Sequence, residues 1–379
     1  MGASRVRVLA AVSIVVAVAG CARFDDSATS PFTPAPTFDA GGELRPRPPG
    51  TPPTSPREPL PTVEPAPCID PDPAVVATCL DTTGGMVMLP GGDSALVTER
   101  RTGRILRVTP GKPTEEFARL DVDGSTDGGL LDVALSPTFV EDNLVYAYVS
   151  TPGDNRVVRV APGDVPKDVL TGIPRGSVGN TGALTFAGPN ELLVLTGDAG
   201  NPSAATDPGS LAGKLLRVTA LTPGPPGSQP FPQVALSGIG GAGDVCVDPT
   251  DQNIWVTDRT PLEDRLQKVA PNGAAGVPVW TWPDKPGVAG CTAGGGSVAI
   301  ALTEGRALAL LDTDPQTGAV TAAPSLIAQD KYGRLGAAAL GAENTIWVST
   351  VNKADGHPGG PTDDRVVKIP APQGGGGFD

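Results

Sequence analysis

Short apolar runs separated by glycine-rich turns recur along this chain, and the clearest example lies between residues 180 and 218. Apolar runs at residues 183–186 and 192–196 flank a Gly-Pro-Asn sequence at 188–190, whose residue types suit a tight turn. A third apolar run, at residues 215–218, follows a longer polar loop. The pattern predicts three strands of a four-stranded antiparallel unit.

From Gly84 onward, a similar pattern occurs six times at intervals of roughly 45 to 60 residues, which is the range of propeller blades. Each pass has glycines before an apolar strand, a turn, a second strand ending near Thr or Ser, and a third strand carrying Arg or Lys. Six similar units favour radial closure. We therefore predict an all-β fold, a six-bladed β-propeller over residues 68–370, with a β-sandwich as the alternative.

The two ends of the chain lack this pattern. An apolar run at residues 8–19 follows Arg5 and Arg7, is too short to span a bilayer, and is typical of a signal peptide over residues 1–20. It ends in Val-Ala-Gly before Cys21, which resembles the bacterial lipobox, in which the cysteine is lipidated; an ordinary signal peptide is the alternative. Residues 371–379 form a Gly-rich tail.

Residues 21–67 are rich in Pro, Thr, Ser and charge, and they contain few large apolar side chains. Such a segment cannot bury enough surface to offset the entropy of ordering, which predicts a disordered, flexible tether. A Pro-rich ligand for another protein is the alternative. Together the two N-terminal segments predict an extracytoplasmic protein that is lipid-anchored to the cell membrane through Cys21.

Charge and histidine content exclude several classes of function. The net charge is −13 and no cluster of Lys and Arg offsets it, so nucleic acid binding is not expected. The sequence has one histidine, His357, in a Gly/Pro-rich loop. A His-rich zinc site is therefore excluded, and without a nucleophile-elbow motif a Ser-His-Asp triad is not expected.

Four cysteines follow Cys21, which suggests two disulfides in an oxidising compartment, with three possible pairings. Cys68 with Cys79 would close a small loop at the start of the folded region. Cys246 with Cys291 would link neighbouring repeats, because each follows a glycine at a similar point in its unit.

Several segments resemble the soluble quinoprotein glucose/sorbosone dehydrogenases, and together they cover about residues 84–369. The segments are LPGGDSALVTERRTGRI, DGGLLDVALSPTF, GNTGALTF with LLVLTGD, SLAGKLLRV and VWTWP. The resemblance implies a propeller whose top face holds pyrroloquinoline quinone (PQQ) and calcium. It also implies a histidine that takes a proton from the sugar hydroxyl, and arginines that neutralise the charge of the reduced cofactor.

The sequence departs from this family at the reaction centre. Gly179 stands where the family has its histidine base, and Gly240 and Gly241 stand where it has an arginine and an asparagine. Near the last blade, Arg334 retains the first arginine of a family pair, whereas Gly336 replaces the second. We therefore expect a catalytically degenerate propeller that binds a ligand or an envelope protein. The alternatives are a PQQ-dependent aldose dehydrogenase with a rearranged base, such as His357, and a calcium-dependent propeller hydrolase.

Other residues keep the family's residue type or offer suitable chemistry. The resemblance gives five candidate pocket residues, for which turn capping and ion pairs between blades are the alternative roles: Asn180, Asp198, Arg100, Lys214 and Arg334. An acidic, Gly-bearing loop offers three candidate calcium ligands, although its spacing is not that of an EF-hand: Asp121, Asp123 and Asp127. Trp280 and Trp282 share one face of a predicted strand, where we expect packing rather than sugar binding.

Overall fold

The computed structural model describes residues 68–224, 230–269, 278–314 and 317–372. Within these ranges the regular structure is almost entirely β-strand, arranged in six antiparallel sheets of four strands each. The predicted signal peptide, Cys21, the tether at 21–67 and residues 373–379 of the tail lie outside the described residues. In the described ranges, no helix has the length and apolar character needed to cross a membrane.

Each sheet forms one blade, with its strands arranged from the centre of the ring outward. The inner strands are β2 (Thr83–Met88), β6 (Leu130–Leu135), β10 (Gly182–Gly188), β14 (Gly241–Val247), β18 (Val288–Gly294) and β22 (Leu335–Gly341). The second strands are β3 (Ala95–Glu99), β7 (Val145–Ser150), β11 (Glu191–Thr196), β15 (Ile254–Arg259), β19 (Ser297–Leu302) and β23 (Thr345–Thr350). The third strands are β4 (Arg104–Val108), β8 (Asn155–Val160), β12 (Lys214–Val218), β16 (Asp264–Val269), β20 (Ala307–Asp312) and β24 (Val366–Pro370). The outer strands are β5 (Glu115–Arg119), β9 (Lys167–Ile173), β13 (Gln233–Ser237), β17 (Pro278–Trp282), β21 (Ser325–Ile327) and β1 (Val75–Ala77).

The six inner strands contact one another in sequence around a closed ring, with β22 contacting β2. The predicted six-bladed propeller is therefore confirmed. The unit that the sequence showed most clearly is the third blade, in which β10, β11 and β12 contain the three predicted runs. Short helices α1 (Phe139–Asp142) and α2 (Pro202–Thr206) lie in loops, as does a 3-10 turn at Ala354–Gly356.

The sixth blade is built from both ends of the folded region. Its three inner positions are β22, β23 and β24, and its outer strand is β1 from the beginning of the fold. β1 pairs antiparallel with β24, with Val75 opposite Val367. The ring therefore closes by backbone hydrogen bonds between segments from opposite ends of the folded region.

Apolar cores lie between neighbouring blades. One such core joins Leu131 and Tyr148 of the second blade to Leu184, Val194 and Leu216 of the third. Because the middle of each blade is covered on both faces, the second strands are buried along most of their length rather than on one face only, as in β7 and β19, where all six residues are buried. The outer strand β5 is largely exposed and polar.

Both suggested disulfides are present. Cys68 pairs with Cys79 and Cys246 pairs with Cys291, with Cα–Cα distances of 6.1 and 5.9 Å. The second disulfide joins β14 to β18, the inner strands of the fourth and fifth blades. It therefore links neighbouring blades close to the axis of the ring.

The two tryptophans of the VWTWP segment lie on β17, the outer strand of the fourth blade. Their ring centroids are 6.3 Å apart in an edge-to-face arrangement, and both rings pack with the core between the fourth and fifth blades. They do not line the central cavity. The packing role expected from the sequence therefore agrees with their position.

Candidate functional site

The antiparallel order of the strands brings two kinds of loop to one end of the ring. These are the loops that lead into each inner strand and the loops between the second and third strands of each blade. We call this end the top face. Nearly all of the sequence-predicted site residues lie on it, because they precede an inner strand or follow a second strand.

A cavity of about 1040 Å³ runs along the axis of the propeller and reaches the loops of the top face. Its wall combines inner-strand residues with side chains from the top loops of several blades. We call the top group the mouth, and it consists of Arg100, Asp127, Gly179, Arg259, Lys285, Glu304, Arg334 and Asp355. This volume is in the range of small-molecule sites.

Gly179, which the sequence resemblance assigns to the family's base position, lines the cavity but has no space for a side chain. Its φ is +73°, a conformation that favours glycine. A Cβ atom there would lie 2.6 Å from Oδ1 of Asp198 and 2.6 Å from the backbone nitrogen of Gly200. The loop is therefore built around glycine, and it leaves no position for a basic side chain at this point of the wall.

Asp127 and Asn180 form a hydrogen-bonded pair that fixes this loop. The Asp127 carboxylate accepts the backbone N–H of Gly179 at 2.6 Å and the side-chain amide of Asn180 at 2.6 Å. Asn180 is fully buried, also bonds Gly176 and Asn155, and does not line the cavity. The candidate pocket residue Asn180 thus positions the wall from behind.

Arg100 and Arg334 are the two candidate pocket residues that line the cavity. The Nη1 of Arg100 donates to the carbonyls of Thr126 and Gly128 at 2.6 and 2.7 Å, and burial lowers its pKa. The Nη2 of Arg334 lies 2.6 Å from Glu304 and 3.2 Å from Asp355. Its Nε and Nη1 are buried, and they have no hydrogen-bond partner within the part of the chain that the structure describes.

Asp198 and Lys214 do not line the cavity. Asp198 caps a turn by accepting the backbone N–H of Gly200 at 2.8 Å. Lys214 is fully buried, and its Nζ donates to the carbonyls of Ala204, Ala205 and Ala212 at 2.7 to 2.9 Å. Burial lowers the pKa of this lysine. Both residues stabilise the loops around α2.

Sequence reasoning missed four charged mouth residues: Arg259, Lys285, Glu304 and Asp355. A signal for one of them was available. The second strand of the first blade and the residue after it read Val-Thr-Glu-Arg at 97–100, and the second strand of the fourth blade ends in Val-Thr-Asp-Arg at 256–259. In both blades the acidic residue pairs with an arginine of the third strand, Glu99 with Arg104 and Asp258 with Arg265, each at 2.6 Å. The arginine that follows the acidic residue, Arg100 in one blade and Arg259 in the other, lines the mouth.

Below the mouth, two aspartates face the cavity from inner strands of the second and fourth blades. Asp132 accepts the N–H of Leu184 at 2.6 Å, and Asp244 accepts the N–H of Cys291 at 2.8 Å. Each carboxylate thus joins its inner strand to that of the next blade. Burial raises the pKa of Asp244 to about 7, and burial together with repulsion from Asp244 raises the pKa of Asp132 well above its usual range.

The candidate calcium ligands do not converge. Asp121 is exposed, Asp123 pairs with Arg175 at 2.6 Å, and Asp127 bonds the loop at Gly179. Among the described residues, no three or more His, Cys, Asp or Glu side chains group in a way that would hold a metal ion.

His357 is exposed in the loop that follows β23 and does not line the cavity. Asp355, two residues earlier, does line it. The single imidazole of the chain therefore lies beside the mouth but not in its wall.

The profile of the glucose/sorbosone dehydrogenase family matches residues 80–285, from the first blade into the loop before the fifth. The chain belongs to this family. The match confirms the resemblance that the motifs indicated, and it includes Arg100, Gly179 and Arg259.

Relatives and solved structures agree with this assignment. The structure is similar to the PQQ-bound aldose sugar dehydrogenase of Streptomyces coelicolor, with 28% identity, a TM-score of 0.69, and coverage of 78% of this chain and 95% of that one. A putative oxidoreductase (glucose dehydrogenase) of Thermus thermophilus gives 26% identity, a TM-score of 0.69, and coverage of 78% and 98%.

The aldose sugar dehydrogenase YliI of Escherichia coli is 28% identical over 226 residues, which are 54% of this chain and 60% of that protein. An uncharacterised Synechocystis protein is 30% identical over 217 residues, 47% of this chain and 52% of that protein. The chain thus spans about half to three fifths of the length of the curated relatives it matches.

The mouth fits one part of a quinone centre and not the others. Arg100 and Arg334 in the wall suit an anionic group such as a quinone carboxylate. The base position is a glycine in a tightly packed turn, and the three loop aspartates do not converge as calcium ligands. The residues present therefore do not form the family's complete reaction centre.

Proposed function

We propose that this protein is a non-catalytic member of the glucose/sorbosone dehydrogenase family that binds a polar ligand at the mouth of its central cavity. The observation that carries this proposal is the packing of Gly179, where a side chain would collide with Asp198 and Gly200. The family fold, the central cavity and several charged side chains at the mouth are present. A side chain that could accept a proton at position 179 is not.

The size of the missing contribution supports a loss of turnover. A positioned general base accelerates a reaction by about 10² to 10⁴, or roughly 3 to 5 kcal/mol of barrier. Loss of a preorganised charge-stabilising group, as at Gly240, costs about another 10². The carboxylate of Asp127 does not replace the base, because it already accepts hydrogen bonds from Gly179 and Asn180.

A working PQQ-dependent aldose dehydrogenase is the second candidate. It is favoured by the position of Arg100 and Arg334, which match family arginines and line the cavity, and by the similarity to a PQQ-bound aldose sugar dehydrogenase. In this case a base would have to come from a rearranged residue, such as His357 in the loop beside the mouth.

The two candidates are separated by incubating the purified protein with PQQ and calcium, then following cofactor absorbance and dye reduction with a panel of aldoses. The non-catalytic proposal predicts no aldose-dependent reduction above a sample without protein. Turnover of a few per second that disappears in a His357→Gln variant would establish the second candidate instead.

We also propose that the protein is extracytoplasmic and anchored in the cell membrane by lipid on Cys21. The two disulfides support this location, because disulfides persist in oxidising compartments. Metabolic labelling with a palmitate analogue tests the anchor. Label on the wild-type protein that is lost in Cys21→Ser, together with release of that variant from membranes, is the expected result; an unlabelled wild-type protein would contradict it.

A further inference from the structure

Three cations of the mouth have no carboxylate partner. Arg100, Arg259 and Lys285 line the cavity, and none of them forms an ion pair with a carboxylate of the described residues. Each donates its observed side-chain hydrogen bonds to backbone carbonyls instead. The same cavity wall also carries six carboxylates, and their hydrogen bonds decide which cations remain without an ion pair: Asp127, Asp132, Asp244, Asp264, Glu304 and Asp355.

Arg259 is the best-positioned of the three. It is the last residue of β15, and its Nε and Nη2 donate to the carbonyls of Gly241 and Ala242, both at 3.2 Å. These bonds are long for N–H···O contacts. They hold the guanidinium against the start of β14, where it lines the cavity half-buried.

The fold places Arg100 across the mouth from Arg259. Arg100 follows the second strand of the first blade and Arg259 ends the second strand of the fourth, and blades one and four are opposite in a ring of six. Lys285 adds a third cation beside Arg259, from the loop between the fourth and fifth blades, where its Nζ lies 3.3 Å from the carbonyl of Pro261.

The carboxylates of the mouth are engaged elsewhere. Asp127 accepts hydrogen bonds from Gly179 and Asn180. Glu304 and Asp355 both contact the same Nη2 of Arg334, on the side of the fifth and sixth blades. Asp264, which lies opposite Arg259 in the strand register, is buried, and its carboxylate accepts the backbone N–H groups of Gly287 and Val288 at 2.6 and 3.1 Å. Arg259 and Lys285 therefore lie near a carboxylate but form no ion pair with it.

We propose that Arg259 and Lys285 form a binding subsite for the carboxylate of a small organic acid, with Arg100 positioned for a second carboxylate across the mouth. This inference rests on the proposed function, because it names the ligand class of the same cavity. A guanidinium presents parallel N–H donors that match the two oxygens of a carboxylate, and an adjacent ammonium adds charge without demanding a fixed geometry.

The test is titration calorimetry of the full chain with citrate as the probe, at low and at physiological ionic strength, with glucose as the neutral comparison and inorganic phosphate as the non-carboxylate anion. The variants are Arg259→Gln and Lys285→Gln. The matched control is Arg119→Gln, which removes the same charge from the exposed outer strand β5, where Arg119 pairs with Glu116 outside the cavity.

Citrate is expected to bind more tightly than phosphate and glucose, and more weakly as salt screens the charges. Arg259→Gln and Lys285→Gln should each weaken citrate binding about tenfold or more, the effect of losing one charge-assisted hydrogen bond. Arg119→Gln should stay within about twofold of wild type. Because Lys285 is exposed, its substitution reports on binding even if Arg259→Gln perturbs the fold.

Absence of citrate binding, equal binding of citrate and phosphate, or equal weakening by all three substitutions would overturn the inference. Its failure is distinct from failure of the proposed function. Aldose turnover in samples that still bind citrate through Arg259 would contradict the non-catalytic role and leave the subsite intact. A protein with neither turnover nor citrate binding would contradict only the subsite.

Discussion

The carboxylate of Asp127 accepts the backbone N–H of Gly179 at a distance of 2.6 Å. Asp127 belongs to the loop before β6 and Gly179 to the loop before β10, so this bond joins the top loops of the second and third blades. An acidic side chain and a bare backbone N–H thus meet at the position to which the sequence resemblance assigns the family's histidine. Both groups are used in holding the wall of the cavity.

Substitution of Gly179 by alanine is expected to destabilise the protein more than the same substitution at Gly163. Both glycines have positive φ, +73° and +77°. Backbone strain should therefore lower the unfolding free energy of both alanine variants by roughly 1 to 2 kcal/mol. Only at Gly179 does the new Cβ meet other atoms, at 2.6 Å, whereas nothing lies within 4 Å at Gly163. The collision should add about 1 to 3 kcal/mol.

Urea unfolding of the two variants measures this difference. Equal losses of unfolding free energy would mean that the loop at Gly179 relaxes freely. A histidine would then fit at that position, and the argument that the base site is closed would lose its support.

The free energy of unfolding should fall as the pH rises from about 4 to about 7. The pKa of Asp244 is about 7 in the folded protein, above its usual value, so the folded state binds a proton that the unfolded state has released over this range. The stabilising contribution of Asp244 is fully present at pH values below its pKa in the unfolded chain. It is lost as the pH rises through its pKa in the folded protein, about 7. One proton corresponds to a slope of at most about 1.4 kcal/mol per pH unit.

Denaturant titrations at several pH values test this, with Asp244→Asn as the comparison. The asparagine amide cannot titrate, so the unfolding free energy of the variant should depend less steeply on pH. The stability of the variant relative to the wild type should therefore increase as the pH rises. The raised pKa of Asp132 leaves a residual slope in the variant. Parallel pH profiles for the two proteins would refute the assignment.

Loss of the Cys246–Cys291 disulfide should destabilise the protein more than loss of Cys68–Cys79. The two bonds close loops of 45 and 11 residues, and chain entropy gives about 4 and about 3 kcal/mol respectively. The melting temperatures of the two double Cys→Ser variants show which disulfide contributes more to stability. The reverse order would show that closure of the ring near β1, and not the link between inner strands, dominates stability.

Lys214→Met should reduce stability by about 2 to 4 kcal/mol without affecting binding at the mouth. The substitution leaves the carbonyls of Ala204, Ala205 and Ala212 without the charged donor that they share. Lys112→Met, at an exposed lysine, is the control and should be near neutral. A loss of ligand affinity in Lys214→Met at unchanged stability would place Lys214 in the binding site instead.

The blades were predictable from the sequence because each strand leaves a local signature. Apolar runs, Gly-rich turns and cationic third strands are properties of neighbouring residues, and β10, β11 and β12 follow them closely. The closure of the ring was not predictable in this way. β1 contains three residues, Val75–Ala77, and its role is set by pairing with β24 at the far end of the fold.

The candidate site was predicted less well, because residue type does not reveal which way a side chain points. The sequence resemblance assigned both Lys214 and Arg100 to family positions, yet Lys214 points toward the carbonyls around α2 while Arg100 lines the cavity. Arg259 was overlooked although its Val-Thr-Asp-Arg sequence repeats the Val-Thr-Glu-Arg sequence of Arg100. Comparison of equivalent positions between blades, in addition to comparison with the family, would have found it.

Steady-state aldose oxidation by the purified protein, reconstituted with PQQ and calcium, tests the central claim most directly. The account predicts no aldose-dependent dye reduction, because Gly179 has no side chain to accept a proton and the neighbouring Asp127 carboxylate already accepts hydrogen bonds from Gly179 and Asn180. Sustained turnover of a few per second with any aldose would contradict it.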